Sequence, residues 1–274
     1  MIKLNDKIYN ICKWALFTFV PSLILLISTL GTIYNFDTEI ITLTISAIAT
    51  FVGTITGVSN YNYKKANKWR SDYMLLSVKK RQEYLKTLSY YKGAIDGKEG
   101  KLTKQAYKEL QEDYFTRKKD IDGKYGKNTD ILLRSAYNCR DLKYFKLDEF
   151  KCQCNGKYCT GYPVELQRDL LVNLDDMREH YGKSTTIKSG LRCSKHNKAE
   201  GGASGSRHTK GKACDIYIKN VSNSHKGRKG IVDYWITTYK SSRYAYCDDY
   251  ARTKSKTTYP NVNSMGTSTH IDIK

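Results

Sequence analysis

The chain has 274 residues, with 47 Lys and Arg against 27 Asp and Glu and a formal charge of +20. That length gives room for two or three small domains, and the charge suits a polyanionic partner: nucleic acid, an anionic membrane face or an acidic cell-wall polymer. Nucleic acid is set aside because no binding motif accompanies the basic residues, although 23 Tyr are interleaved with them; the 8 cysteines are too irregularly placed to read as a disulfide framework, and they leave the redox compartment open.

Residues 1–63 carry no net charge, because Lys3, Lys7 and Lys13 balance Asp6, Asp37 and Glu39. No charged residue occurs from Trp14 to Phe36, nor from Ile40 to Tyr63. Each run exceeds the roughly 20 residues a helix needs to cross a bilayer. Asp37 and Glu39 sit in the gap, so the pattern predicts two transmembrane helices joined by a tight acidic turn. A signal peptide would have a shorter apolar core and no second span. Pro21 is tolerable in a membrane helix, and Gly53 and Gly57 have the spacing that lets helices approach closely. Lys3, Lys7 and Lys13 precede the first run, and Lys64, Lys65, Lys68 and Arg70 follow the second. By the positive-inside rule both ends of the hairpin face the cytoplasm.

The run Asp6-Lys7-Ile8-Tyr9-Asn10, Lys13-Trp14, Pro21, Gly31, Thr44 to Gly53 and Gly57-Val58-Ser59 resembles small phage holins of Gram-positive hosts, over residues 1 to about 66. The resemblance implies a place in the host inner membrane, self-association through the spans, and membrane opening at lysis.

Residues 76–138 hold a duplication. Ile95-Asp96-Gly97-Lys98-Glu99-Gly100-Lys101 is echoed by Ile121-Asp122-Gly123-Lys124-Tyr125-Gly126-Lys127, with Thr103 and Thr129 at the same offset. Asp-Gly favours a tight turn, and the two threonines are expected to cap the helices that follow. Leu85 and Leu88, then Ala106, Tyr107, Leu110 and Tyr114, give apolar faces at helical spacing. The module resembles the three-helix peptidoglycan-binding domain of wall hydrolases; a plain helical spacer is the alternative. Residues 64–75 read as a basic connector.

From residue 139 onward a helix is expected over 164–181, with Leu166, Leu170, Leu174 and Met177 as its core stripe and Gly182 as its C-cap. Ile187 to Arg192 reads as a strand entering a cleft. In Ala213 to Ile218, alternation sends Cys214, Ile216 and Ile218 to the core and Asp215 to the opposite face. In the final run Thr269, Ile271 and Ile273 point one way, and Ser268, His270 and Asp272 the other. His208 and Asp215, with His270 in the last strand, offer two imidazoles and a carboxylate, which leaves one corner of a tetrahedral zinc open. Cys152, Cys154 and Cys159 have no standard finger spacing; reduced thiols or one disulfide are expected, with a zinc site completed by Cys139 as the alternative. His180 and His225 read as surface residues.

The stretch Ser189-Gly190-Leu191-Arg192, His196-Asn197, Gly201 to Ser204, Ser206-Arg207-His208, Gly211, Ala213 and Asp215-Ile216, with Thr269 to Ile273, resembles the zinc D-alanyl-D-alanine carboxypeptidase family, which includes phage endolysins. The resemblance covers roughly 139–274. It implies an α+β domain with an antiparallel sheet, zinc held by His208, Asp215 and His270, and hydrolysis of an amide in the peptidoglycan stem. It also implies that Arg192 contacts a substrate carboxylate or the developing oxyanion and that Ser206 lines the site. Several relatives place a general base three residues before the last ligand, where this chain has Thr267, so Asp272 is the candidate for that role or for orienting a ligand.

The expected architecture is therefore multi-domain: a holin-like hairpin over 1–66, a peptidoglycan-binding-like helical domain over 76–138 and a zinc peptidase domain over 139–274. Peptidoglycan and the membrane are the expected partners. A wall hydrolase displayed outside the cell is one alternative; a wall-binding or membrane-lesion protein whose zinc domain is not catalytic is another.

Overall fold

The computed structural model of the chain describes residues 10–11, 13–34, 36–55, 74–259 and 265–274. The chain divides into two compact units, Met1–Met74 and Leu75–Lys274.

In the first unit a π-helical turn, Ala15–Phe19, leads into α1 (Val20–Tyr34), and α2 (Glu39–Ile55) follows. The wider π turn lies just before Pro21, whose ring removes a backbone donor and crowds the preceding turn. Large apolar side chains point outward, with Leu25 69% and Ile40 75% exposed. The hydroxyls of Ser22, Thr29, Thr32, Thr44, Ser46 and Thr50 each donate to the carbonyl four residues back, so the helices satisfy their own polar groups. Gly31 is buried where the turn folds back on α1; a Cβ there would stand 2.2 Å from the Thr38 methyl. Asp37 accepts from the Glu39 N–H at 2.8 Å, which opens α2.

Of the two expected spans, one meets the length and apolarity of a membrane helix among the described residues. Ala15–Tyr34, with 20 residues, is long and apolar enough to cross a membrane, and α2 has 17 residues among those described. Lack of charge is not the same as apolarity: Ser59, Asn60 and Asn62 end the uncharged run. Gly57 and the basic run that follows lie outside the described residues.

The second unit begins with three helices, α3 (Val78–Thr87), α4 (Lys101–Tyr114) and α5 (Lys127–Cys139). They close over Leu85, Ala106, Tyr107, Leu110, Leu132 and Leu133. In both copies of the repeat the Asp-Gly turn has the expected form. Gly97 and Gly123 have φ of +72° and +66°, and the carboxylates of Asp96 and Asp122 accept from the N–H two residues on. The threonines do not cap. Gly100 and Gly126 hold the N-cap positions, so Thr103 and Thr129 fall inside their helices and are buried. Their hydroxyls instead accept from Gln82 and Gln111, whose amides also bridge the turn: Gln111 Oε1 accepts from Asp122 N–H at 3.0 Å and Gly123 N–H at 2.8 Å, while Nε2 donates to Lys124 O at 3.0 Å and Thr129 Oγ1 at 2.9 Å.

The rest of the unit is an antiparallel sheet with helices on it. α6 (Arg168–Tyr181) ends at Gly182, whose φ of +57° is the left-handed C-cap. The strands are β1 (Thr185–Ser189), β2 (Ala213–Ile218), β3 (Ser242–Cys247), β4 (Tyr250–Thr253), β5 (Thr257–Thr258) and β6 (Thr269–Ile273), in the order β1-β2-β6-β3-β4-β5. α7 (Ser194–Ala199) follows β1, and α8 (His225–Thr238) packs on β3, β4 and β6. Leu170, Leu174, Met177, Cys214, Ile216, Ile218, Val232, Trp235 and Ile271 are fully buried and form the core. One register row faces the other way: Ser189, Asp215, His270 and Tyr246 stand opposite one another across β1, β2, β6 and β3.

Candidate metal centre

Strand alternation and register aim Asp215 and His270 at the same point, because they are direct partners on β2 and β6. His208 comes from outside the sheet, on the single 3-10 turn Arg207–Lys210. That turn ends at Gly211, where φ is +66° and a Cβ would meet the Glu165 carbonyl at 1.9 Å. Only glycine lets the chain reverse here and enter β2.

The three donor atoms form a tight triangle. His208 Nε2 lies 3.3 Å from His270 Nδ1 and 3.3 Å from Asp215 Oδ1, and the last two are 2.8 Å apart. Zinc with ligand bonds of about 2.0–2.1 Å would need its ligand atoms about 3.3 Å apart, so the donor set fits a tetrahedral ion with one open corner. All three side chains are buried.

The neighbouring groups set the protonation each ligand needs. His208 Nδ1 stands 2.7 Å from the Gly190 carbonyl, which can only accept. The proton therefore sits on Nδ1 and leaves the Nε2 lone pair free for a ligand bond. His270 presents Nδ1 to the triangle, while its Nε2 faces Asp272 Oδ2 at 3.8 Å and its ring stacks on Tyr246 at 4.6 Å. Burial opposes ionisation of Asp215, but the hydrogen bonds and charges of His208 and His270 outweigh it and hold the carboxyl well below its ordinary range. Burial likewise disfavours the charged form of His270, yet Asp215 and Asp272 raise it overall. Both shifts describe a site that gathers positive charge around one carboxylate.

Arg192 donates from Nη2 to Asp215 Oδ2 at 2.8 Å and from Nε to Ser189 Oγ at 2.8 Å. Asp215 thus divides its oxygens, Oδ1 toward the imidazoles and Oδ2 toward the guanidinium. Asp272 is fully committed: Oδ1 accepts from the Tyr244 N–H at 2.8 Å and Oδ2 pairs with Arg243 at 2.8 Å. Thr267 is exposed.

The centre opens into a cavity of about 650 Å³ whose lining includes Arg192, Ser206, His208, Asp215, His270 and Asp272. All six residues singled out in the sequence therefore meet at one cleft. His196 lines it too, whereas His180 and His225 are exposed. Sequence reasoning missed Tyr246, Arg243 and the Gly190 carbonyl. The alternation of Tyr244 and Tyr246 in β3 was readable, but nothing local showed that β3 pairs with β6.

Residues 143–230 match the Peptidase M15 family, a stretch that includes Arg192, Ser206, His208 and Asp215 and stops before the strand bearing His270. Residues 4–65 match the phage holin Dp-1 family. The holin of Pneumococcus phage Dp-1 is 47% identical over 64 residues, which is 23% of this chain and 86% of that protein.

Proposed function

The chain belongs to the phage holin Dp-1 family through its N-terminal region and carries a Peptidase M15 domain, and on that premise we propose that it is a membrane-tethered lysis protein whose zinc peptidase cuts an amide in the peptidoglycan stem. The observation that carries this reading is the donor triangle of His208, Asp215 and His270, with edges of 2.8 to 3.3 Å, at the floor of an open cleft.

Bound zinc would supply Lewis-acid activation of water and of the scissile carbonyl. His208, held in the right tautomer by Gly190, and His270, oriented by Tyr246 and Asp272, would hold the ion together with Asp215. Arg192 sits beside Asp215 at the cleft wall, placed to receive a substrate carboxylate or the oxygen that gains charge during attack. Lys188, Arg207 and Arg243 also line the cleft, an electropositive surround that suits the carboxylate-rich stem peptide. Asp272 positions His270 and Tyr244 rather than taking a proton, since both its oxygens are occupied. Glu200 is the remaining carboxylate among the described lining residues, and it would be the alternative candidate for the general base.

The helical segment over 76–138 would hold the enzyme to peptidoglycan, between a hairpin over 1–66 and a catalytic domain over 139–274. The hairpin would self-associate in the host inner membrane. By the positive-inside rule the lysines before it and the basic run after it support a cytoplasmic position for both ends, which would keep the peptidase inside until the membrane opens.

The test uses the full chain in detergent. Purified cell wall should yield new amino and carboxyl termini, and mass spectrometry of the fragments identifies the bond. Chelator and His208→Ala should each abolish release, and added zinc should restore only the chelated protein. Zinc binding without new termini would refute the enzymatic reading and leave a wall-binding protein.

A further inference from the structure

A second set of ligand-type side chains lies outside the cleft. The sulfurs of Cys152, Cys154, Cys159 and Cys193 all stand within 4.8 Å of one another. Sequence proximity had suggested Cys139 as the fourth member, but that residue closes α5 and is not in the cluster. The fourth sulfur comes from Cys193, at the start of α7 and next to Arg192.

The loop is folded to point its thiols inward. Cys152 N–H donates to the Gly161 carbonyl at 2.9 Å and closes the loop, and Lys157 N–H donates to Cys154 O at 2.9 Å. Asn155 and Gly156 take positive φ, +50° and +81°, to make the turn between Cys154 and Cys159. Backbone amides are aimed at two of the sulfurs. Cys193 N–H points to Cys152 Sγ and His196 N–H to Cys193 Sγ, each at 3.4 Å. Amide donors of this kind stabilise sulfur as an anion, the state a metal requires. Cys152, Cys154 and Cys193 are buried.

Disulfides fit the geometry less well. Cys154 and Cys159 are 3.5 Å apart, against about 2.05 Å for a bonded pair. Four thiolates at about 2.3 Å from a tetrahedral zinc lie about 3.8 Å from each other, within the spread seen here. Four sulfur ligands leave no open corner, so such a site is structural, and soft thiolates select zinc over hard cations.

We propose that Cys152, Cys154, Cys159 and Cys193 form a closed four-thiolate zinc site that clamps the 152–161 loop to the segment bearing Arg192. On binding, each thiol releases its proton to solvent and no electron is transferred. Four thiolates around one divalent ion give the cluster a net negative charge. The loop is anchored on its other side by Thr116, whose N–H and hydroxyl both donate to Thr160 O. The clamp therefore ties the helical segment to the wall of the cleft.

The experiment uses the reduced full chain in detergent. Cobalt substituted for zinc should give thiolate-to-cobalt charge-transfer absorption, retained in His208→Ala and lost in Cys159→Ser. Zinc content should fall by about half in either variant, which separates this site from the one in the cleft. Because Cys159→Ser can misfold, the unaltered chain is also alkylated: the four thiols should be protected until chelator is added. Free alkylation without chelator, or protection removed by reductant alone, overturns the proposal, and so does a cobalt spectrum without charge transfer.

Discussion

Asp272→Asn separates two roles for the carboxylate that faces His270 Nε2. Asparagine keeps the size of the side chain and an oxygen for the Tyr244 N–H, and removes the charge that faces Arg243 and His270 Nε2. Arg243 is 46% exposed, so losing that ion pair should cost only about 0–1 kcal/mol of stability after solvent screening. The larger effect falls on the metal. A carboxylate behind a ligating imidazole fixes the ring and raises its basicity, and its loss typically weakens metal binding 10–100-fold, about 1.4–2.7 kcal/mol. Titration with a competing chelator should show that loss, with kcat largely restored when zinc is supplied in excess. A general base behaves differently: its removal lowers kcat roughly 10²–10⁴-fold and leaves zinc affinity intact. That second pattern in Asp272→Asn would refute the positioning role argued from its two occupied oxygens. Glu200→Gln is expected to give it instead.

Gln111→Ala removes the hub of the second repeat turn and leaves the Asp122 and Gly123 N–H groups without that partner; a loss of roughly 2–4 kcal/mol is expected in chemical denaturation. Gly190→Ala would bring a Cβ to 2.6 Å from the Phe150 backbone; thermal melting should show a marked loss of stability, and zinc content should fall in both the cleft and the cysteine cluster. Without metal, Asp215 contributes stability above an unfolded carboxyl value of about 3.9 and loses it as pH falls through its depressed folded value. His270, raised in the fold, contributes fully below about 6.5 and loses that stability as pH rises through its folded value. The chelated protein should therefore melt at lower temperature as pH rises above about 6.5. The zinc-loaded protein should show the opposite slope there, because both imidazoles must be neutral to ligate; parallel slopes would argue against ligation by His270.

The meeting of His208, Asp215 and His270 at one point was legible in the sequence. Alternation put Asp215 and His270 on the face opposite the core, and the motif resemblance brought in His208 from the segment before the strand. What stayed hidden depends on long-range pairing. Cys193 joins Cys152 across 41 positions, and no local pattern points from one to the other. Gln82 and Gln111 sit in helices that read as ordinary amphipathic segments, yet their amides hold the repeat turns together. Thr103 and Thr129 misled for a simpler reason: glycine occupied the cap three residues before each of them, so each threonine was already inside its helix.

The segment from Ser189 to Cys193 shows why the cleft needs this run of residues. Ser189 stands opposite Asp215 in register and accepts from Arg192; the Gly190 carbonyl fixes the His208 tautomer. Leu191 is buried and its N–H donates to Phe150 O, which brings the strand so close to Phe150 that position 190 has no room for a side chain. Arg192 reaches Asp215, and Cys193 turns away to the sulfur cluster. Five consecutive residues thus contact one register partner, one imidazole, one core residue, one carboxylate and one cysteine cluster. Shifting such a segment by a fraction of an ångström disturbs all of these together. An anchor at its far end, where Cys193 meets Cys152, is the point at which a structural ion would hold the geometry of the catalytic one without touching substrate.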